Sequence, residues 1–194
     1  TEHWQRVEPE TGMDKMSVTF SKALLPNGNE YTVPGGKILL KVNGKKVVAD
    51  EDRNLGKAIA VSPDKEQLVV GISHSNWLYD YIIQTDGTLA YKQTLYWLHN
   101  PGNNDTTEIN SVAFDVDGNL YVATHIGVQV CDQNGRVRAI LSLPSAPVTS
   151  LWFGGNKFDT LFVECGNKLY KRKMKVAGAP SPEKAITPVS QGGG

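Results

Sequence analysis

A repeated unit of short β-rich runs joined by tight turns, with no helical period in it, is what most constrains this chain. It is plainest between Asn110 and Cys131. Ser111–Phe114 is an apolar run, Asp115-Val116-Asp117-Gly118 supplies turn chemistry, Leu120–Ala123 returns and Val128–Val130 alternates. Asp closes such turns with its own side chain, and Gly accepts positive φ. Three antiparallel strands are expected within about twenty residues.

The unit recurs along the chain. Upstream, Met16–Phe20, the turn Pro26-Asn27-Gly28-Asn29, Glu30–Val33, Lys37–Val42, the hairpin turn Asn43-Gly44 and Lys46–Ala49 make one set. Lys57–Val61, the turn Ser62-Pro63-Asp64-Lys65, Gln67–Gly71, Trp77–Ile83, the turn Thr85-Asp86-Gly87 and Ala90–Trp97 make a second. The set around Asn110 gains Val137–Leu143 through the Asn134-Gly135 turn. The last set, Thr149–Phe153, Thr160–Glu164 and Lys168–Val176, has no fourth strand of its own, and one further short strand is expected at His3–Val7. Val18, Ile59, Val112 and Leu151 occupy equivalent positions and lie 41, 53 and 39 residues apart, near the roughly 40–50 residues of a propeller blade.

The expected fold is therefore an all-β β-propeller with about four four-stranded blades, starting near residues 16, 57, 110 and 149. They lie in one domain over 1–178, followed by a flexible Pro/Ser/Gly-rich tail over 179–194. A β-sandwich would use the same short strands. Recurrence of one turn at one place, in SPDKEQLVV, DVDGNLYV and FGGNKFDTLFV, favours the propeller.

Lys plus Arg equals Asp plus Glu at 20 each, so no long-range field favours nucleic acid or an anionic membrane. No run of about 18 apolar residues predicts a membrane span, and no signal peptide is visible. The chain opens on Thr1, from which processing or truncation is expected. Nothing fixes the compartment, and a secreted or periplasmic location is favoured over a cytoplasmic one. Cys131 and Cys165 lack metal-ligand spacing and are expected as half-buried thiols or a single disulfide.

Ala60-Val61-Ser62-Pro63-Asp64, then NSVAFDVDGNLYVA, GVQVCDQNGRVRAILSLP and SLWFGGNKFDTLFVECGNKLYKRKMKVAG resemble successive C-terminal blades of the gluconolactonase and regucalcin-like (senescence marker protein) family. The resemblance runs from about Gly36 to Gly178, and strictosidine synthase-like propellers share its blade grammar. It implies a six-bladed ring of which two N-terminal blades are missing. His3–Val7 is then either the outer strand of a lost blade or the strand that completes the last one. The exposed edge needs cover, from a second chain, a cleaved N-terminal fragment or a compact closure of four blades.

The family holds a divalent cation (calcium, zinc or magnesium) at the channel mouth, where it polarises a sugar-type lactone. Its ligand motifs fall on Gly56-Lys57-Ala58-Ile59, on Asn110-Ser111 and near Met16, while its early-blade Glu has no counterpart. Asn110 retains an oxygen ligand. Lys57 replaces one and adds a like charge, so the metal site reads as eroded. The mouth also receives the loops Pro34-Gly35-Gly36, Ser73-His74-Ser75, Thr124-His125 and Cys165-Gly166. Asn110, Lys57, His125 and His74 are the candidate catalytic residues, with Asn110 the candidate metal ligand.

The duller readings are a solvated Lys57, rim histidines, an Asn110 that caps the Asp105–Glu108 loop, blade-packing Trp77, Trp97 and Trp152, and a solvated Lys171-Arg172-Lys173 edge. Asp105 and Glu108 become ligands if the register moves by two. Two functions follow: a metal-assisted hydrolase of a sugar-type lactone or ester, or a non-catalytic binding or scaffold propeller derived from it. A Cys165 nucleophile is a third.

Overall fold

The computed structural model describes residues 3–8, 22–100, 108–145 and 147–180. Over these the chain is all-β. A three-residue strand, β1 (Gln5–Val7), precedes the first blade. Blade 1 is β2 (Lys22–Leu24), β3 (Glu30–Thr32), β4 (Lys37–Val42) and β5 (Lys45–Glu51). Blade 2 is β6 (Leu55–Val61), β7 (Gln67–Ile72), β8 (Trp77–Ile83) and β9 (Leu89–Trp97). Blade 3 is β10 (Ser111–Phe114), β11 (Leu120–Thr124), β12 (Gly127–Cys131) and β13 (Val137–Leu141). Blade 4 is β14 (Ser150–Gly154), β15 (Thr160–Cys165), β16 (Lys168–Lys173) and, as its fourth strand, β1.

β1 runs antiparallel to β16, with Gln5 opposite Lys171 and Val7 opposite Leu169. Of the two readings of His3–Val7, the strand that completes the last blade is the one observed. The edge assigned to a second chain or a cleaved fragment is thus covered by this chain's own N-terminal strand. β1 covers this edge as far as Lys171, while Lys171 and Lys173 stay exposed; Lys173 pairs with Asp159 and Arg172 lies 5.8 Å from the Trp4 ring.

The strand expected at Met16–Phe20 lies outside the described residues, and the inner strand of blade 1 is Lys22–Leu24. The turn that follows is the expected one, with Gly28 N donating to Leu25 O at 2.9 Å. Gly28 has φ of 84°, which L side chains rarely adopt.

The core lies in slabs between successive blades. Successive residues of a strand point to opposite faces, so one strand feeds two slabs. In β7, Leu68 and Val70 pack with Tyr31, Ile38 and Leu40 of blade 1, whereas Val69 packs toward blade 3. In β11, Leu120 and Val122 face blade 2, whereas Tyr121 and Ala123 pack with Leu151 and Val163 of blade 4. Burial on both faces is why β7 and β11 read as unbroken apolar runs. Among the described residues no packed cluster joins blade 4 to blade 1.

Two further devices join blades. Lys92 of β9 places Nζ 2.9 Å from Asp50 Oδ2 of β5 and 2.9 Å from Asp52 Oδ2. Tyr81 OH donates to Asp50 at 2.8 Å and Tyr79 OH to Asp52 at 2.9 Å, and the ammonium sits 4.2 Å over the Tyr79 ring. The hydrogen bonds from Lys92 and the Asn54 backbone hold Asp52 down at about 2. Burial pushes Asp50 up, but hydrogen bonds from Lys92 and Tyr81 outweigh it and leave it below the usual carboxylate range.

The second device is a strap after β16. Gly178 N donates to Phe158 O, Val116 N to Ala177 O and Ala179 N to Phe114 O, at 2.8, 2.9 and 2.8 Å. Gly178 lies so close to Phe153 that a Cβ would fall 2.2 Å from that side chain's Cβ. Ala179, expected to begin the tail, is docked on blade 3, and residues 181–194 lie outside the described residues.

Cys131 and Cys165 are free and buried. Burial pushes their thiols up to about 12 and about 11, which disfavours the thiolate that a Cys165 nucleophile needs.

Candidate functional site

The inner strands β6, β10 and β14 all begin at one end of the channel, and antiparallel pairing brings the turns after β7, β11 and β15 to the same end. That end is the mouth. Each turn is tied to the neighbouring strand start. Ser73 N donates to Asn54 O at 2.7 Å and Ser73 Oγ to Leu55 O at 3.3 Å. Asn110 N donates to Ala123 O at 3.1 Å, and Thr149 N to Glu164 O at 2.9 Å.

His74 and His125 occupy corresponding turns in adjacent blades, as the repeat predicts. His74 is exposed at a left-handed φ of 53°. His125 is half-buried beside Thr124, whose hydroxyl donates to Gly127 O at 2.8 Å. Asn110 is half-buried, and its amide donates to Val148 O at 3.0 Å. It therefore ties blade 3 to the approach of blade 4, and its carboxamide oxygen is the group it can offer a cation.

Lys57 is displaced from the strand start on which it was expected. β6 begins at Leu55, and its register with β7 shifts between Leu55 and Ile59. The residues between leave the ladder, because four steps on β6 match two on β7. Gly56 sits at the closest approach, where a Cβ would meet Gly71 O at 2.9 Å. Lys57 follows it and is exposed. The strand start expected near Met16, and Asp105, lie outside the described residues. Glu108 is exposed before β10.

The sequence reading missed Glu164. It lies one residue before the end of β15, opposite Ser150 and half-buried, and burial raises its carboxyl above the usual range. Its place before the Cys165-Gly166 turn was the available signal. Among the described residues, no group of three or more His, Cys, Asp or Glu is placed to hold a metal ion.

The three tryptophans expected to pack between blades divide. Trp152 is half-buried and stacks on Phe162 at 5.6 Å. Trp77 and Trp97 are exposed, because Leu78 and Tyr96 beside them take the inward positions. No helix among the described residues is long and apolar enough to cross a membrane.

The model of the SMP-30/gluconolactonase/LRE-like region matches residues 17–166. Regucalcin, a calcium-binding protein from Agrobacterium tumefaciens strain C58, is 16% identical with a TM-score of 0.69, over 83% of this chain and 62% of its own. A luciferin-regenerating enzyme is 18% identical with a TM-score of 0.67, over 82% of this chain and 64% of its own. A gluconolactonase from Xanthomonas campestris is 15% identical with a TM-score of 0.64, over 78% and 55%. This chain thus spans about three fifths of the length of the structures it matches. No curated protein matches it in sequence.

Proposed function

The chain belongs to the SMP-30/gluconolactonase/LRE-like family, and from that premise we propose that its channel mouth binds a small sugar-type lactone or the acid derived from it. What supports this is the polar character of the residues in and near the strand starts and turns at one end of blades 2 and 3: Lys57, His74, His125 and Asn110. Lys57 complements a carboxylate or a polarised lactone carbonyl, and His74, His125 and Asn110 offer hydrogen bonds to ring hydroxyls.

A divalent cation does not fit the described residues. Calcium takes about six to eight oxygen ligands, and magnesium a near-octahedral set. The described mouth offers the Asn110 oxygen and a half-buried Glu164 carboxyl, which burial raises above its usual range. Like charge at Lys57 disfavours a cation further. Binding therefore stands ahead of metal-assisted hydrolysis, the competing reading that family membership supports.

The test is calorimetric titration of gluconate and glucono-lactone, with and without calcium, zinc or magnesium, together with lactone hydrolysis above the spontaneous rate. Binding without a metal is expected, and Lys57→Met should weaken gluconate at least about tenfold through loss of a charge-assisted hydrogen bond. Hydrolysis that requires a divalent cation and survives Lys57→Met would overturn the proposal.

A further inference from the structure

Trp77, Trp97 and His99 form a continuous aromatic ridge on the outer part of blade 2. Trp77 and Trp97 are directly opposed across β8 and β9, with ring centroids 6.4 Å apart and planes tilted by 50°. His99 meets Trp97 edge-on at 5.5 Å. Trp77 is 39% exposed, Trp97 48%, and His99 is exposed as well. The other exposed large apolar side chains among the described residues, such as Tyr91 and Val116, make no such ring contact.

The ridge is held from below. Leu98, between Trp97 and His99, is fully buried, and its N–H donates to Asn76 O at 2.8 Å. Trp97 N donates to Gly135 O at 3.2 Å, which fixes it against blade 3. Gln129 of β12, itself fully buried, clasps the His99 backbone on both sides: it accepts from His99 N and donates to His99 O, each at 2.9 Å. A buried glutamine that holds the main chain on both sides, with a further contact to Thr124 Oγ1 at 3.4 Å, fixes the backbone from which that ring projects.

Rigid, water-exposed tryptophans are costly to leave without a use, since exposed apolar patches mark interaction sites. Three rings are too few for a stable protein interface, which buries about 800 Å² per partner. They do match a sugar chain. The C–H face of a pyranose is apolar and weakly positive, and it lies on the negative π-face of tryptophan. Indole and imidazole N–H groups at the ring edges then meet hydroxyls.

From this arrangement we infer that Trp77, Trp97 and His99 form an oligosaccharide-stacking subsite on the outer strands of blade 2, at the end that also carries the β7–β8 turn. It stands on its own geometry and does not require the lactone reading. The experiment is calorimetric titration of the full chain with cello-oligosaccharides and with oligogalacturonides of increasing length. Affinity should rise with length in at least one series. It should fall about tenfold in Trp97→Ala, the loss of one stacking surface, while Trp97→Phe keeps most of it and both variants retain the thermal transition. Absence of binding in both series, or binding that Trp97→Ala leaves unchanged, overturns the inference.

Discussion

Replacing Lys92 by Met removes the cation that two carboxylates share across the junction of blades 1 and 2, while it keeps the length of the stem. Asp52 falls from the ordinary 3.8 to about 2 in the folded chain. A difference of that size is about 2.4 kcal/mol at full strength. The Asn54 backbone and Tyr79 hydrogen bonds to Asp52 survive the substitution and the three side chains keep 31%, 28% and 19% of their exposure, so the part of the Asp52 shift that Lys92 carries is about 1 kcal/mol. Asp50 and the repulsion between the uncompensated carboxylates bring the expected loss to about 2 kcal/mol. For a chain of this size that is about 4–8 °C in Tm.

The pH dependence has a definite sign. Both carboxyls are depressed in the folded state, so their contribution is present above the ordinary aspartate value and is lost as pH falls toward about 2. Urea unfolding of wild type and Lys92→Met, followed by circular dichroism, should show the full gap near neutral pH. The gap should close progressively below about pH 4. A cycle with Asp52→Asn should give a coupling of about 1 kcal/mol. A gap near zero at neutral pH, or one of constant size down to about pH 2, refutes the reasoning.

Two further outcomes are expected. Asp80 is fully buried, with one hydrogen bond, from Gln93 at 3.2 Å, and burial raises its carboxyl. Asp80→Asn should therefore stabilise the chain by about 1 kcal/mol near neutral pH, with the advantage vanishing below the ordinary carboxylate pKa, where both states bind the proton; equal stability at neutral pH would sink this. Gly178→Ala should detach the strap and cost about 2 kcal/mol by overpacking against Phe153. Hydrogen exchange reads it directly, through faster exchange at the Val116 and Ala179 amides, and unaltered rates there would contradict the account.

Blades 2 and 3 were legible because their turns are local. Asp115 accepts from the N–H groups of Asp117 and Asn119 at 3.0 and 2.9 Å, as a turn aspartate should, and β8 and β10 have the bounds read from the sequence. The β2 strand was not legible. Lys-Ala-Leu carries no β-branched residue and is held by pairing with β3 and packing on blade 2. The exposure of Trp77 was hidden by Asp80, whose inward position breaks the polar-out rule that would have revealed the phase of β8. At the mouth, the repeat placed His74 and His125, but no local pattern announced the register shift that moves Lys57 out of its ladder.

Blades 1 to 3 are contiguous meanders, each able to form from neighbouring sequence, whereas blade 4 needs β1 to find β16 across nearly the whole chain, Gln5 to Lys171. Closing a loop of that length costs on the order of 4–5 kcal/mol before any contact rewards it. Completion of blade 4 therefore belongs to the end of folding, and its loss to the beginning of unfolding. In the interval β16 is a bare edge. Lys168, Lys171 and Lys173 along it are the charges that keep such an edge from pairing with another molecule. They act as gatekeepers in the one state where β1 is undocked, guarding a chain that is still folding or has begun to open.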